Sequence, residues 1–194
     1  MNDGMIMIPG CYPIPSNVQH LNLLLFGSQV PTGIPNMGNA LASNTYCAYQ
    51  TLTGWGQAMY NTHPLTTSLS NINYNHVTNA SLTTLKNLKY LQSCETLVIS
   101  GMSLITDYSP IGKMKNLKTL AIVGSPNNQF TPQLKDITWI KDLEKLENVY
   151  FTNCQHLVNI RPLQSLENLK VLNIQGSGLK NTDYLQQSAL TITK

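Results

Sequence analysis

One pattern of apolar residues returns four times between residues 88 and 185, and it leaves few ways to fold. It reads Leu88, Leu91, Cys94, Leu97, Ile99, then Ile111, Met114, Leu117, Leu120, Ile122. It returns as Ile140, Leu143, Leu146, Val149, Phe151 and finally as Leu163, Leu166, Leu169, Leu172, Ile174. The steps are 3, 3, 3 and 2, and the copies start 23, 29 and 23 residues apart. A unit this short cannot bury its own apolar stripe, so successive copies must stack and share one core.

The step of two marks a strand, whose alternate side chains point to opposite faces. Leu97 and Ile99 therefore point into the core, and Thr96, Val98 and Ser100 are expected to face solvent. The same reading turns outward Thr119, Ala121 and Val123, then Asn148, Tyr150 and Thr152, then Val171, Asn173 and Gln175. The steps of three form a short turn on the other side. Together they are the signature of a leucine-rich repeat. The expected fold is α/β: a leucine-rich-repeat solenoid with a curved parallel sheet on its concave side, short 3-10 or helical turns on its convex side, and an irregular N-terminal cap.

Other positions repeat as well. After each strand comes Gly101, Gly124, Asn153 or Gly176, the residue types that reach positive φ most cheaply. Next stand Met102, Ser125, Cys154 and Ser177, where many repeat proteins carry Asn bonded to the neighbouring backbone. No such Asn ladder is expected here. Asp107, Asp136, Asn159 and Asn181 read as N-caps of the following turns. Pro110 and Pro162 fall in first turns, where a missing N–H costs little.

Residues 104–122, Leu-Ile-Thr-Asp-Tyr-Ser-Pro-Ile-Gly-Lys-Met-Lys-Asn-Leu-Lys-Thr-Leu-Ala-Ile, resemble the repeats of bacterial internalins and the related repeats of the phosphatase-1 regulatory subunit. Asn159-Ile-Arg-Pro-Leu163, followed by Leu166, Leu169 and Leu172, repeats the likeness. The resemblance covers about the last 110 residues and implies protein recognition.

Charge is unevenly placed. All twelve Lys and Arg lie from Lys86 onward, and Asp3 is the one charged side chain ahead of it, so residues 1–85 carry −1 and the rest +4. So modest a balance disfavours nucleic acid as a partner. No apolar run approaches a membrane span, and no basic stretch followed by an apolar one marks a secretory leader. The expectation is an intracellular or non-classically exported chain. Cys94 and Cys154 occupy repeat slots and are expected to be free, buried thiols, whereas Cys11 and Cys47 are left open to pairing.

Residues 1–65 are rich in Gly, Pro, Asn, Thr and Ser, which predicts loops and short strands. Tyr12, Phe26, Tyr46, Tyr49, Trp55 and Tyr60 are too many aromatics for a disordered tail. Val18, Leu21 and Leu23 predict a strand that caps the arc, residues 40–60 a helix, and residues 65–85 a degenerate first repeat. The chain therefore divides into a cap or assembly region, 1–65, and the solenoid, 66–194. Leu190 and Ile192 predict a last partial strand.

Catalytic chemistry is not expected. His20, His63, His76 and His156 lack Cys, Asp or Glu at metal spacing, and no nucleophile motif or phosphate loop is present. The reading is a non-enzyme with no catalytic residue, metal or cofactor. Glu95, Lys118, Glu147 and Lys170 stand at equivalent positions and form a row of alternating sign that pins register.

Two functions fit. One is a module that binds a protein or peptide through the outward strand residues Val98, Ser100, Ala121, Val123, Asn148, Tyr150, Thr152, Asn173 and Gln175, centred on Val123 and Tyr150. To these is added Phe130, on a six-residue insertion within residues 125–133. An apolar patch rimmed by amides suits a protein surface. Phe130 either reaches for a partner or tucks back over the repeat. The other function is a structural subunit of a fibre, sheath or virion, self-associating through the uncharged N-terminal region.

Overall fold

The computed structural model describes residues 84–126, 131–185 and 190–194 and, ahead of them, five backbone strands. These are β1 (Met5–Ile6), β2 (Ile14–Pro15), β3 (Leu21–Phe26), β4 (Thr45–Thr51) and β5 (Gly54–Tyr60). The repeats contribute β6 (Cys94–Ser100), β7 (Thr119–Val123), β8 (Asn148–Thr152) and β9 (Val171–Asn173), and β10 (Thr191–Thr193) follows.

The spacing of three has a direct backbone cause. Four 3-10 segments, Lys86–Tyr90, Ser109–Lys113, Thr138–Asp142 and Arg161–Ser165, precede the four repeat strands. In 3-10 geometry residues i and i+3 eclipse and share a hydrogen bond. In the second repeat Ile111 N–H donates to the Tyr108 carbonyl at 3.1 Å, Met114 to Ile111 at 2.9 Å and Leu117 to Met114 at 3.0 Å. The other repeats carry the same ladder, for example Ile140 to Ile137, Leu143 to Ile140 and Leu146 to Leu143. Each apolar position is thus also a hydrogen-bonding position, and one period places side chain and backbone bond together. The step of two begins where the chain enters the strand, and Leu120 and Ile122 then continue the same buried face.

The strands stack in register. Leu97 pairs with Leu120, Leu120 with Val149, Val149 with Leu172 and Leu172 with Ile192, all parallel. These residues, the 3-10 apolar positions, Cys94 and Cys154 form one core cluster. Both cysteine side chains are fully buried, as their slots predict. The last partial strand is present as β10, with Ile192 half-buried against the core.

The sheet does not stop at the first repeat. β3 lies parallel beside β6, β4 parallel beside β3, and β5 antiparallel beside β4. The order is β10-β9-β8-β7-β6-β3-β4-β5, and β1 and β2 make a separate pair. The strand expected near Leu21 is β3, which lies inside the sheet between β6 and β4 rather than at its end. The helix expected over 40–60 is a correction: the segment is the β4–β5 hairpin. Tyr46, Tyr49, Thr51, Trp55 and Tyr60 are strand-favouring residues, and that preference outweighs the helical spacing of Leu52, Trp55 and Met59. The degenerate repeat expected over 65–85 falls mostly outside the described residues.

The turn after each strand separates into two cases. Gly101, Asn153 and Gly176 have φ of 64°, 55° and 69°, the left-handed region expected of them. Gly124 is required for space instead, since a Cβ there would lie 2.7 Å from both the Asn153 carbonyl oxygen and Pro132 Cδ. It is where the insertion leaves the sheet.

Candidate functional site

Each candidate strand residue lies on the face expected of it, opposite the core, but that face is not uniformly open. On β6 Val98 is 0% exposed and Ser100 is buried; on β7 Ala121 and Val123 are buried. Tyr150 on β8 is 3% exposed, whereas its neighbours Asn148 and Thr152 are half-buried. On β9 Val171 and Asn173 are half-buried, Gln175 just beyond it is exposed, and Thr191 and Thr193 on β10 are exposed. The expectation that Thr96, Val98, Ser100, Ala121, Val123 and Tyr150 face solvent is thus corrected. They are buried yet stand outside the main core cluster, so the sheet carries apolar burial on both faces over β6 and β7. Burial pushes the Tyr150 phenol above its ordinary pKa. Phe130 lies outside the described residues; Ser125 and Pro132, at either end of its loop, are buried.

One row of this face is polar along almost its whole length. By register Thr96, Thr119, Asn148, Val171 and Thr191 stand side by side on five strands. Asn148 Nδ2 donates to Thr119 Oγ1 at 3.2 Å within it. The next row runs Val98, Ala121, Tyr150, Asn173, Thr193, passing from apolar to polar toward β10. The accessible part is therefore uncharged, hydroxyl- and amide-bearing, and lies over β8, β9 and β10. The repeat spacing missed Thr191 and Thr193, because β10 lacks the preceding apolar triplet. The signal was Leu190-Thr-Ile-Thr, which matches Lys170-Val-Leu-Asn one strand earlier.

The edges of the face are held by side-chain bonds between repeats. Lys118 pairs with Glu95 at 3.1 Å and Lys170 with Glu147 at 2.7 Å, as the alternating row predicts. Their backbones join too: Lys118 N–H donates to the Glu95 carbonyl, Glu147 to Lys118 and Lys170 to Glu147, each at 2.8 Å. The missing Asn ladder has substitutes. Asn153 Nδ2 donates to the Gly124 carbonyl at 3.1 Å, and the Cys154 thiol donates to the Ile122 carbonyl at 3.2 Å. Asp107, Asp136 and Asn159 sit one residue ahead of the N-caps Tyr108, Ile137 and Ile160, and Asn181 precedes a turn in the equivalent place. Each accepts from the N–H two residues on, at 2.9, 3.0, 3.0 and 2.6 Å, closing an Asx turn.

Two further buried ionisable groups, Cys154 and Tyr108, lie in the core. Burial raises the Cys154 thiol, and burial together with nearby Cys154 raises the Tyr108 phenol, whose hydroxyl has no hydrogen-bond partner. Among the described residues no group of three or more His, Cys, Asp and Glu is arranged to hold a metal ion, and no helix is long and apolar enough to cross a membrane.

No protein-family model matches the chain, and no curated protein matches it by sequence. Solved structures do match. An internalin, InlF, from Listeria monocytogenes aligns with 92% of this chain at a TM-score of 0.52 and 18% identity. The fold is an internalin-like leucine-rich-repeat solenoid. The chain spans 48% of that internalin, about half its length. Internalin C2 from the same species aligns with 86% of this chain and 78% of its own, at 20% identity and a TM-score of 0.43.

Proposed function

We propose that the solenoid is a non-enzymatic protein-interaction module that binds an uncharged stretch of a protein or peptide on the concave face over β8, β9 and β10. The observation that carries this is the exposure gradient: Asn148, Thr152, Asn173 and Gln175 of the expected contact set are accessible, joined by Thr191 and Thr193. Amide and hydroxyl groups on parallel strands about 4.8 Å apart offer donors and acceptors without a desolvated charge. Tyr150, buried on β8, lies beside this surface, and Val98 and Ala121 continue the buried row away from it. The test compares proteins or peptides selected on the wild-type chain for binding to Asn173→Arg and Gln175→Arg. Loss of about tenfold or more in affinity, the scale of one interface hot spot, is expected. Unchanged affinity contradicts the reading.

The alternative, a structural subunit assembling through a neutral N-terminal region, is disfavoured by β3, β4 and β5. They continue the solenoid's own sheet, which suits a cap better than a free assembly arm.

A further inference from the structure

The convex side of the first two repeats differs from the rest of the surface. Tyr90 closes the Lys86–Tyr90 turn and is 58% exposed, rare for so large an aromatic among the described residues. Lys89 Nζ stands 5.0 Å from the centre of its ring. Lys86 and Lys89 are exposed on the same turn, and Lys113 is exposed at the end of the next 3-10 segment, which packs beside it. Among the described residues no carboxylate pairs with any of these three lysines; the ion pairs of this region belong to Lys115 and Lys118. Nor does the sequence ahead of them offer much acid, since Asp3 is its one charged side chain.

The patch is also held in shape. Gln92 Nε2 donates to the Lys89 carbonyl at 2.6 Å and to the Lys113 carbonyl at 2.9 Å, so one amide fixes the two turns against each other. Asn116 Nδ2 donates to the Gln92 carbonyl at 2.7 Å and holds the same junction from the next repeat. An exposed aromatic with unneutralised cations on a preorganised frame is the composition of a docking surface for an anionic partner.

We propose that the patch formed by Lys86, Lys89, Tyr90 and Lys113 docks an acidic segment of a partner protein, with an apolar or aromatic residue of that segment on Tyr90. Three cations on two turns suit a few carboxylates around one apolar anchor. A nucleic acid, which gains affinity from many phosphate contacts, needs a longer basic track. This surface is distinct from the concave face, and each stands or falls without the other.

Fluorescence anisotropy tests it, with a fluorescein-labelled twelve-residue peptide of Glu and Asp around a central Phe, titrated with the full chain. Binding weakens with added salt, as exposed charge pairs do. Lys89→Glu and Lys113→Glu each weaken it by about tenfold, and Tyr90→Ala by about fivefold. Gln92→Ala, which leaves every charge in place, weakens it by a smaller factor through loss of the frame. Lys180→Glu, on the last turns of the solenoid, leaves it unchanged. Equal weakening by Lys180→Glu overturns the proposal in favour of diffuse attraction to net positive charge. Absence of peptide binding overturns it too. So does tighter, patch-dependent binding of single-stranded RNA or of phosphatidylserine vesicles, which reassigns the surface.

Discussion

Asn153 does two things that a glycine and a ladder asparagine do elsewhere. It holds φ of 55° and bridges to Gly124 of the preceding repeat. Asn153→Gly keeps the backbone and loses the bond, a cost of about 1 kcal/mol, whereas Asn153→Ala adds the left-handed penalty and costs about 2–3 kcal/mol. Chemical denaturation of the two variants gives that order, and a reversed order contradicts it. Cys154 and Tyr108 make a pH prediction. Both groups are raised by burial, so the folded state holds its protons longer than the unfolded chain. Stability is then fully present below the unfolded thiol pKa of about 8.5 and falls as pH rises, by at most about 1.4 kcal/mol per unit for each group, with Tyr108 joining above about pH 10. Cys154→Ala flattens the curve between these two points. A stability profile that is level to pH 10 in the wild type contradicts the assignment.

At the scale of the element, the repeat is legible in sequence because its two periods coincide with its two hydrogen-bond patterns. A core leucine every third residue is also every 3-10 bond, so Ile111, Met114 and Leu117 announce both. The alternating row was legible for the same reason: equivalent slots become neighbours, and Lys118 and Lys170 find Glu95 and Glu147. Those pairs are partly exposed and screened by solvent, so Lys118→Ala or Lys170→Ala lowers stability by less than about 1 kcal/mol in thermal unfolding. Leu120→Ala, in the sealed core between them, costs about 2–5 kcal/mol. Comparable losses for Lys118→Ala and Leu120→Ala would contradict register as the row's role. The β4–β5 hairpin was not legible, because apolar residues at 48, 52, 55 and 59 satisfy a helical period while the aromatics favour a strand. Exposure of the outward face was misjudged because alternation tells which face a side chain occupies, and not what lies over it. Val98 and Thr193 have the same position in their strands and opposite environments.

For the whole molecule, one eight-stranded sheet joins the neutral N-terminal strands to the charged repeats. β3 covers the main-chain edge of β6, which would otherwise present a row of unpaired N–H and C=O groups. A chain beginning at Thr84 exposes that edge and aggregates or melts well below the wild type; light scattering with thermal unfolding reads both. A monomer of unchanged midpoint would contradict the cap. The proposed binding surface belongs to this scale too, because it follows a gradient along the solenoid: the face opposite the core is mostly buried over β6 and β7 and more open over β9 and β10. Thiol labelling measures that gradient directly. Ala121→Cys and Thr193→Cys are each reacted with a maleimide under native conditions, and the wild-type chain is subtracted as background. The Thr193→Cys thiol is expected to react at the rate of an exposed thiol and the Ala121→Cys thiol only on unfolding; rapid native labelling at 121 would contradict the gradient.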